Sequence, residues 1–409
     1  MPAYGGKHWR LLGYALRVEW IPARIRLFRE AGLCQSQDKF AKTLGFVKRT
    51  IGNAERATHP PSLALRRALD HALENASDAQ RARFFAADHG AVPAVDGELE
   101  ALELSRRVAA SDVGDETVSR LELAVDDLAT RYPSTPPAAL LADVRRHLGY
   151  VMRLVEARTT LREHHRLLVT AGWLSLLAAT LQIDLVQRAA AAGWLATATS
   201  LAQETEHAEI LAWRHETEAW QVLTDGDYPR AVTLSQAAQT LAPCGSSAAI
   251  QATAQEGRAW ARRGAAKDTY GAINRVAGLA AQLPQPDQPE HHYRYDPDKA
   301  LVYTATTLAW VGDPAAERYA REVIARLGSA QAAGRRPRRV ALAQIDLALA
   351  LLASDQPDEA SAAVLGAMLS GWVVPSNHWR ALEVVTAVEA RGLSEATELR
   401  EAYAVMRRS

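Results

Sequence analysis

Two stretches of this chain repeat one spacing of small residues, and that spacing leaves few folds open. Ala219, Ala231 and Ala238 flank the turn Gly226-Asp227-Tyr228, and Ala348, Ala360 and Ala367 flank the turn Asp355-Gln356-Pro357 at the same intervals. Alanines so placed let two helices joined by a tight turn approach backbone to backbone, which predicts a helical hairpin at each copy. Weaker copies surround Trp260 with Gly264 and Trp310 with Gly312-Asp313-Pro314, and a further hairpin is expected around Ala192-Gly193-Trp194-Leu195. From Leu168 onward the pattern predicts five or six stacked hairpins. Seven of the ten tryptophans directly follow Gly or Ala, which reads as a recurring core wedge beside a close helix contact and not as a ligand platform. Elsewhere Ala, Leu, Arg and Glu abound and no extended run of alternating β-branched residues occurs, so the whole chain is expected to be all-α.

At 409 residues the chain exceeds what one hydrophobic core usually serves, so more than one domain is expected. The Gly, Pro and Asp of residues 86–97 interrupt the helical pattern and read as a linker. It would separate a head of residues 1–85 from a helical lead-in of residues 98–166 and the hairpin region of residues 167–409. Formal net charge is zero, yet Met1 to Phe85 holds fifteen Lys and Arg against seven Asp and Glu, leaving thirty-two against forty for the rest. A basic head on an acidic body is the arrangement expected where the head alone meets phosphates. Cys34 and Cys244 stand far apart with no metal-ligand spacing, which points away from disulfides and zinc and toward a reducing cytoplasm. No signal peptide or membrane span is expected, because the apolar run from Leu168 to Ile183 is broken by Gly172, Ser175, Thr180 and Gln182.

The head carries one informative stretch, from Ser36 to Arg56. Ser36 is expected to cap a helix with an apolar stripe of Phe40, Ala41 and Leu44, Gly45 to supply the positive φ of a tight turn, and a second helix to begin near Val47. Buried positions in and around that second helix would be Phe46, Ile51 and Ala54. The run Ser36-Gln37, Phe40-Ala41, Leu44-Gly45-Phe46, Thr50-Ile51 and Glu55 resembles the Xre/Cro/C1-type helix-turn-helix family, with Pro22 to about Ala31 as its first helix. The resemblance implies a double-stranded DNA partner. It puts Gln37 near a phosphate or base at the start of the second helix, and turns Lys48, Arg49, Thr50 and Asn53 toward the major groove. The chemistry agrees, since Arg and Lys can bond guanine and Asn can pair with adenine. Lys42 and Arg56 are expected to meet the backbone, and two heads in a homodimer would meet two half-sites. Val47 stands where the family usually has a Ser or Thr cap, Ala54 where a large apolar residue is common, and Ala57 where Gly is usual.

The hairpins of the body resemble tetratricopeptide repeats, which stack into an α-solenoid with a concave binding face. In order of parts the chain is similar to actinobacterial Xre-type regulators with tetratricopeptide-like C-terminal domains, implying a peptide, small-molecule or protein effector. Trp260, Tyr295 and Lys299 are the expected effector contacts, the last two from a Pro-bracketed loop, Pro289 to Lys299. A purely structural role for that loop would have Tyr295 and Asp296 cap the next helix, and the run Ser376-Asn377-His378-Trp379-Arg380 after Pro375 carries the same two readings, ligand contact or a cap from Ser376 or Asn377. Neither a phosphate-binding loop, a dinucleotide fingerprint, a His-Glu-x-x-His motif nor a nucleophile elbow occurs, so no catalytic residue, cofactor or metal is expected. His164 and His165 point about 100° apart on a helix, which does not suit a shared metal. The rival reading is a repeat scaffold whose degenerate head no longer binds DNA.

Overall fold

The computed structural model describes residues 18–56, 61–90, 112–283, 287–329 and 336–408. These residues form nineteen α-helices and no strand. The chain divides into two compact units, Met1–Glu100 and Ala101–Ser409.

In the first unit α1 (Pro22–Leu27) runs into a π turn (Phe28–Gly32), followed by α2 (Gln37–Leu44), α3 (Lys48–Ala54), α4 (Leu63–Glu74) and α5 (Asp78–Gly90). Local chemistry sets most of these ends. Ser36 accepts from the Lys39 amide to cap α2, and Gly45 closes it at φ 76°. Ser62 caps α4, while Ser77 and Gln80 make a reciprocal capping box at the start of α5. Val47 precedes α3 with no side-chain cap. The core gathers Ile25, Phe28, Phe40, Ile51, Leu69 and Phe84, all fully buried. Gly32 is required here: a Cβ would stand 3.1 Å from both Phe28 and Phe84, so α5 packs directly on the π turn. Phe46 is half-buried rather than a full core residue, because Gly45 turns the chain before it reaches the interior. The expected end of the head at Phe85 falls inside α5, which continues to Gly90, so the linker expected at residues 86–97 begins as helix. Its remainder, together with Ala57 and the start of the lead-in, lies outside the described residues.

The second unit contains α6 (Asp115–Arg131), α7 (Pro137–Val155), α8 (Leu161–Asp184), α9 (Arg188–Glu204), α10 (Ala208–Thr224), α11 (Tyr228–Leu241) and α12 (Ser247–Arg262). It continues through α13 (Ala266–Ala280), α14 (Pro297–Val311), α15 (Ala315–Leu327), α16 (Pro337–Ala353), α17 (Pro357–Leu369), α18 (His378–Ala390) and α19 (Ala396–Met406). From α8 onward the helices pack in six successive pairs, and the first helix of a pair also packs on the first helix of the next in the run from α10 to α18. Three-residue turns join five of the pairs, and neighbours packed across so short a turn must run antiparallel. The middle residue of four such turns is left-handed: Val186 at φ 58°, Gly226 at 87°, Gly264 at 70° and Asp355 at 57°. Ala219, Ala231, Ala238, Ala348, Ala360 and Ala367 are all completely buried, as contacts between closely approaching helices require.

The lead-in ends earlier than expected. Thr160 and Glu163 form a capping box that starts α8 at Leu161, so the boundary expected at Arg166 lies within that helix. Helix α8 is long and apolar enough to span a bilayer, but the apolar window is 83% buried among the other helices, as a core helix is. Residues distant in sequence meet across the interior of this unit. Arg338 on α16 pairs with Asp184 on α8 at 2.9 Å, Arg262 on α12 grips Glu383 on α18 at 2.6 and 2.8 Å, and the His292 amide donates to the Ala129 carbonyl at 3.0 Å.

Candidate functional site

Helix α3 presents the polar residues expected to read DNA. Lys48, Arg49, Asn53 and Arg56 are exposed and Thr50 is half-buried. Arg49 and Asn53, four residues apart, share one face of α3, and Arg56 follows two residues beyond the helix end. The side chains of Lys48, Arg49 and Asn53 make no hydrogen bond or ion pair to a described residue, whereas Arg56 Nε donates to the Gly52 carbonyl at 2.9 Å. Lys42 is exposed on α2 and paired with Asp38 at 3.3 Å.

Gln37 differs from the sequence expectation. Its amide nitrogen donates to Glu55 Oε2 at 2.6 Å, and Glu55 also receives Arg29 Nε at 2.6 Å and Arg29 Nη2 at 3.1 Å. Burial pushes the Glu55 carboxyl up, but the hydrogen bonds from Arg29 and Gln37 outweigh it and hold the group below its ordinary range. The same bond from Glu55 raises the Arg29 guanidinium. Gln37 and Glu55 thus lock the start of α2 and the end of α3 to the π turn of the first helix, which fixes the angle at which α3 is presented.

The second unit contains a cavity of about 160 Å³ that is partly open to solvent. Helices α8, α10, α12, α14 and α16 supply its wall, with the segment from Trp372 to Arg380, the loop residues Glu290 and His292, and Tyr132. Polar and charged side chains are set into a largely apolar wall: α12 is buried on every side from Gln251 to Ala259, and it brings Gln251 and Arg258 to the cavity. Gln251 Nε2 donates to Glu216 Oε1 at 2.9 Å and to the Tyr303 hydroxyl at 2.5 Å. Arg380 pairs with Asp346, whose other oxygen takes the Thr306 hydroxyl at 2.6 Å. Arg258 lies over the rings of Tyr303 and Trp310, 5.1 and 4.8 Å from their centroids, and donates to Gln255 Oε1 at 3.0 Å. Burial lowers the Arg258 guanidinium and raises the Glu216 carboxyl. It brings the Lys299 ammonium down to about 7, helped by the charge of Arg339.

Of the three expected effector contacts, Lys299 alone is in this wall. Its Nζ donates to the carbonyls of His292 at 2.6 Å and Arg294 at 3.0 Å. Tyr295 is packed in a separate apolar cluster with Ile250, Ala254 and Val276. Trp260 lies half-buried in another cluster, its ring nitrogen bonded to Glu256 at 3.1 Å. Asp296 caps α14 through the Lys299 amide at 2.9 Å, while the Tyr295 side chain caps nothing. Ser376 and Asn377 do not cap either: Ser376 Oγ donates to Asp184 at 3.3 Å, Asn377 Nδ2 reaches Ser376 at 3.4 Å, and Asn377 lines the cavity. The short 3-10 turn after Pro375 points both inward instead of onto the α18 amides.

Asn377 and Arg380 from the run after Pro375 line the cavity, whereas Arg258, Arg338, Gln251 and Trp372 were missed as site residues. A single Arg or Gln on a helix reads as solvent-facing until its neighbours are known; the one usable signal was Gln251, Gln255 and Arg258 recurring at helical spacing in an alanine-rich segment. No protein-family model matches the chain, and no curated protein matches it at a significant level.

Proposed function

We propose that this protein is a cytoplasmic, sequence-specific DNA-binding regulator: a helix-turn-helix head of the Xre/Cro/C1 kind, and a tetratricopeptide-like α-solenoid body that senses an effector. The observation that carries this reading is the pair Arg49 and Asn53, exposed and unpartnered among the described residues on one face of α3. The Arg29, Glu55 and Gln37 network braces the helix that bears them. A surface helix gains nothing in stability from an unpaired donor set held so firmly, whereas a major-groove reader needs it. Thr50 and Lys48 flank the same face, with Arg56 and Lys42 as phosphate contacts. Two heads in a homodimer would read half-sites about one DNA turn apart.

The test is duplex selection from a random pool with the full chain, followed by anisotropy at fixed salt. Arg49→Ala should cost about 1–3 kcal/mol at the selected site and relax preference at one position, whereas Lys42→Ala should weaken every duplex alike. If no duplex is enriched, or both variants bind as the parent does, the scaffold reading with a non-binding head takes its place.

A further inference from the structure

We propose that the cavity inside the second unit is a binding site for a small organic anion, a metabolite bearing a carboxylate or phosphate group that Arg258 receives. Arg258 is only 7% exposed, yet no carboxylate of a described residue stands within ion-pair reach and its Nε has no partner. A guanidinium carries five donors in a fork shaped for an oxyanion, and burying one without a counter-charge is unfavourable to folding. The fold thus holds a guanidinium that two aromatic rings and Gln255 contact but no carboxylate neutralises at ion-pair distance.

The neighbours support the same ligand. Arg338 and Arg380 spend part of their donor set on Asp184 and Asp346, but each keeps an unpartnered Nε. Lys299 Nζ donates to two carbonyl oxygens and lies 5.8 and 5.9 Å from the ring centroids of Trp213 and Tyr295, with no carboxylate of a described residue at ion-pair distance. Among the described residues, the one buried wall carboxylate without a cation at ion-pair distance is Glu216, and its burial favours the uncharged form. Trp220, Leu342 and Trp372 add apolar surface to the same wall. The space of about 160 Å³ beside Arg258 has room for a small organic molecule. The inference deepens the effector half of the function proposed above, but it rests on the body alone.

The probes are cyclohexanecarboxylate, cyclohexyl phosphate and the uncharged isostere cyclohexanecarboxamide, titrated into the full chain without DNA. Tryptophan fluorescence and melting temperature are the readouts, since Trp220 and Trp372 line the site. One or both anions should raise the melting temperature and change the fluorescence saturably, and the amide should bind at least about tenfold more weakly. Preference between the two anions tells a carboxylate site from a phosphate site. Arg258→Gln should melt no lower than the parent when unliganded, because it removes a buried unpaired charge, yet lose at least about tenfold in anion affinity. Arg258→Lys keeps the charge without the fork and should fall between, and Arg263→Gln, exposed and outside the cavity wall, should leave anion affinity unchanged. The proposal is overturned if neither anion binds at millimolar concentration, if the amide binds equally well, or if Arg258→Gln binds as the parent does. Unfolding of both Arg258 variants would overturn it too, making Arg258 a structural residue. Because no DNA is present, a head that fails to bind duplex leaves this result standing.

Discussion

Glu55→Gln should loosen the first unit far more than so small a change suggests. The Arg29 and Glu55 side chains are 9% and 1% exposed and joined by bonds of 2.6 and 3.1 Å, so the substitution leaves a buried guanidinium without its main counter-charge. Removing one partner of a buried pair costs about 3–5 kcal/mol. Arg29 retains Glu30 at 2.8 Å and the Gln35 carbonyl at 3.2 Å, which places the effect near the lower end, about 3 kcal/mol. Hydrogen exchange followed by mass spectrometry on peptides covering α2 and α3 should show the opening constant rising about a hundredfold. The double variant Arg29→Met, Glu55→Leu should recover to within about 1 kcal/mol of the parent, because an apolar pair of similar volume avoids both desolvation penalties. The pH dependence has a definite sign. Glu55 titrates lower folded than unfolded, so its contribution is complete above the ordinary carboxylate range, about 4.3, and is lost as pH falls through the depressed folded value. Glu55→Gln should lack that acid-induced loss. A change in opening of less than about threefold, or a double variant no better than the single one, would refute this account of the pair.

Four further outcomes follow from the same structure. Val47 precedes α3 exposed and without a cap bond, so Val47→Asp should stabilise the first unit by about 0.5–2 kcal/mol, read as slower exchange in α3. Val186 holds a left-handed φ of 58° where equivalent turns have Gly226 and Gly264, so Val186→Gly should raise the melting temperature through relief of about 1–2 kcal/mol. Gly257→Ala sets a Cβ 3.0 Å from Ala272 Cβ, where no flexible side chain can yield, and should cost about 1–3 kcal/mol in urea unfolding. Lys299 titrates near 7 folded against about 10.5 unfolded, so the unfolded chain binds the extra proton between those values. Stability should therefore rise with pH across that window, by at most about 5 kcal/mol, and Lys299→Met should flatten the rise.

What the sequence by itself determined was local. The Ser36 cap, the Gly45 turn, the exposed Arg49 and Asn53, and the buried alanines at 219, 231, 238, 348, 360 and 367 follow from capping chemistry, backbone permissiveness and helical period. Each of these acts over a few residues, so the string of letters contains it. Other features depended on which helices come to lie opposite one another. Gln37 looked like a DNA contact until Glu55 was found beneath it, and Ser376 like a cap until Asp184 was found beside it. The same holds for Arg338 with Asp184 and Arg380 with Asp346, pairs from distant helices. Arg258 drew no notice at all, because an arginine facing water and one walled into a cavity occupy the same kind of helical position. Only the packing of distant helices removes the water around a charge, and it is that removal, not the residue type, which makes the charge a site.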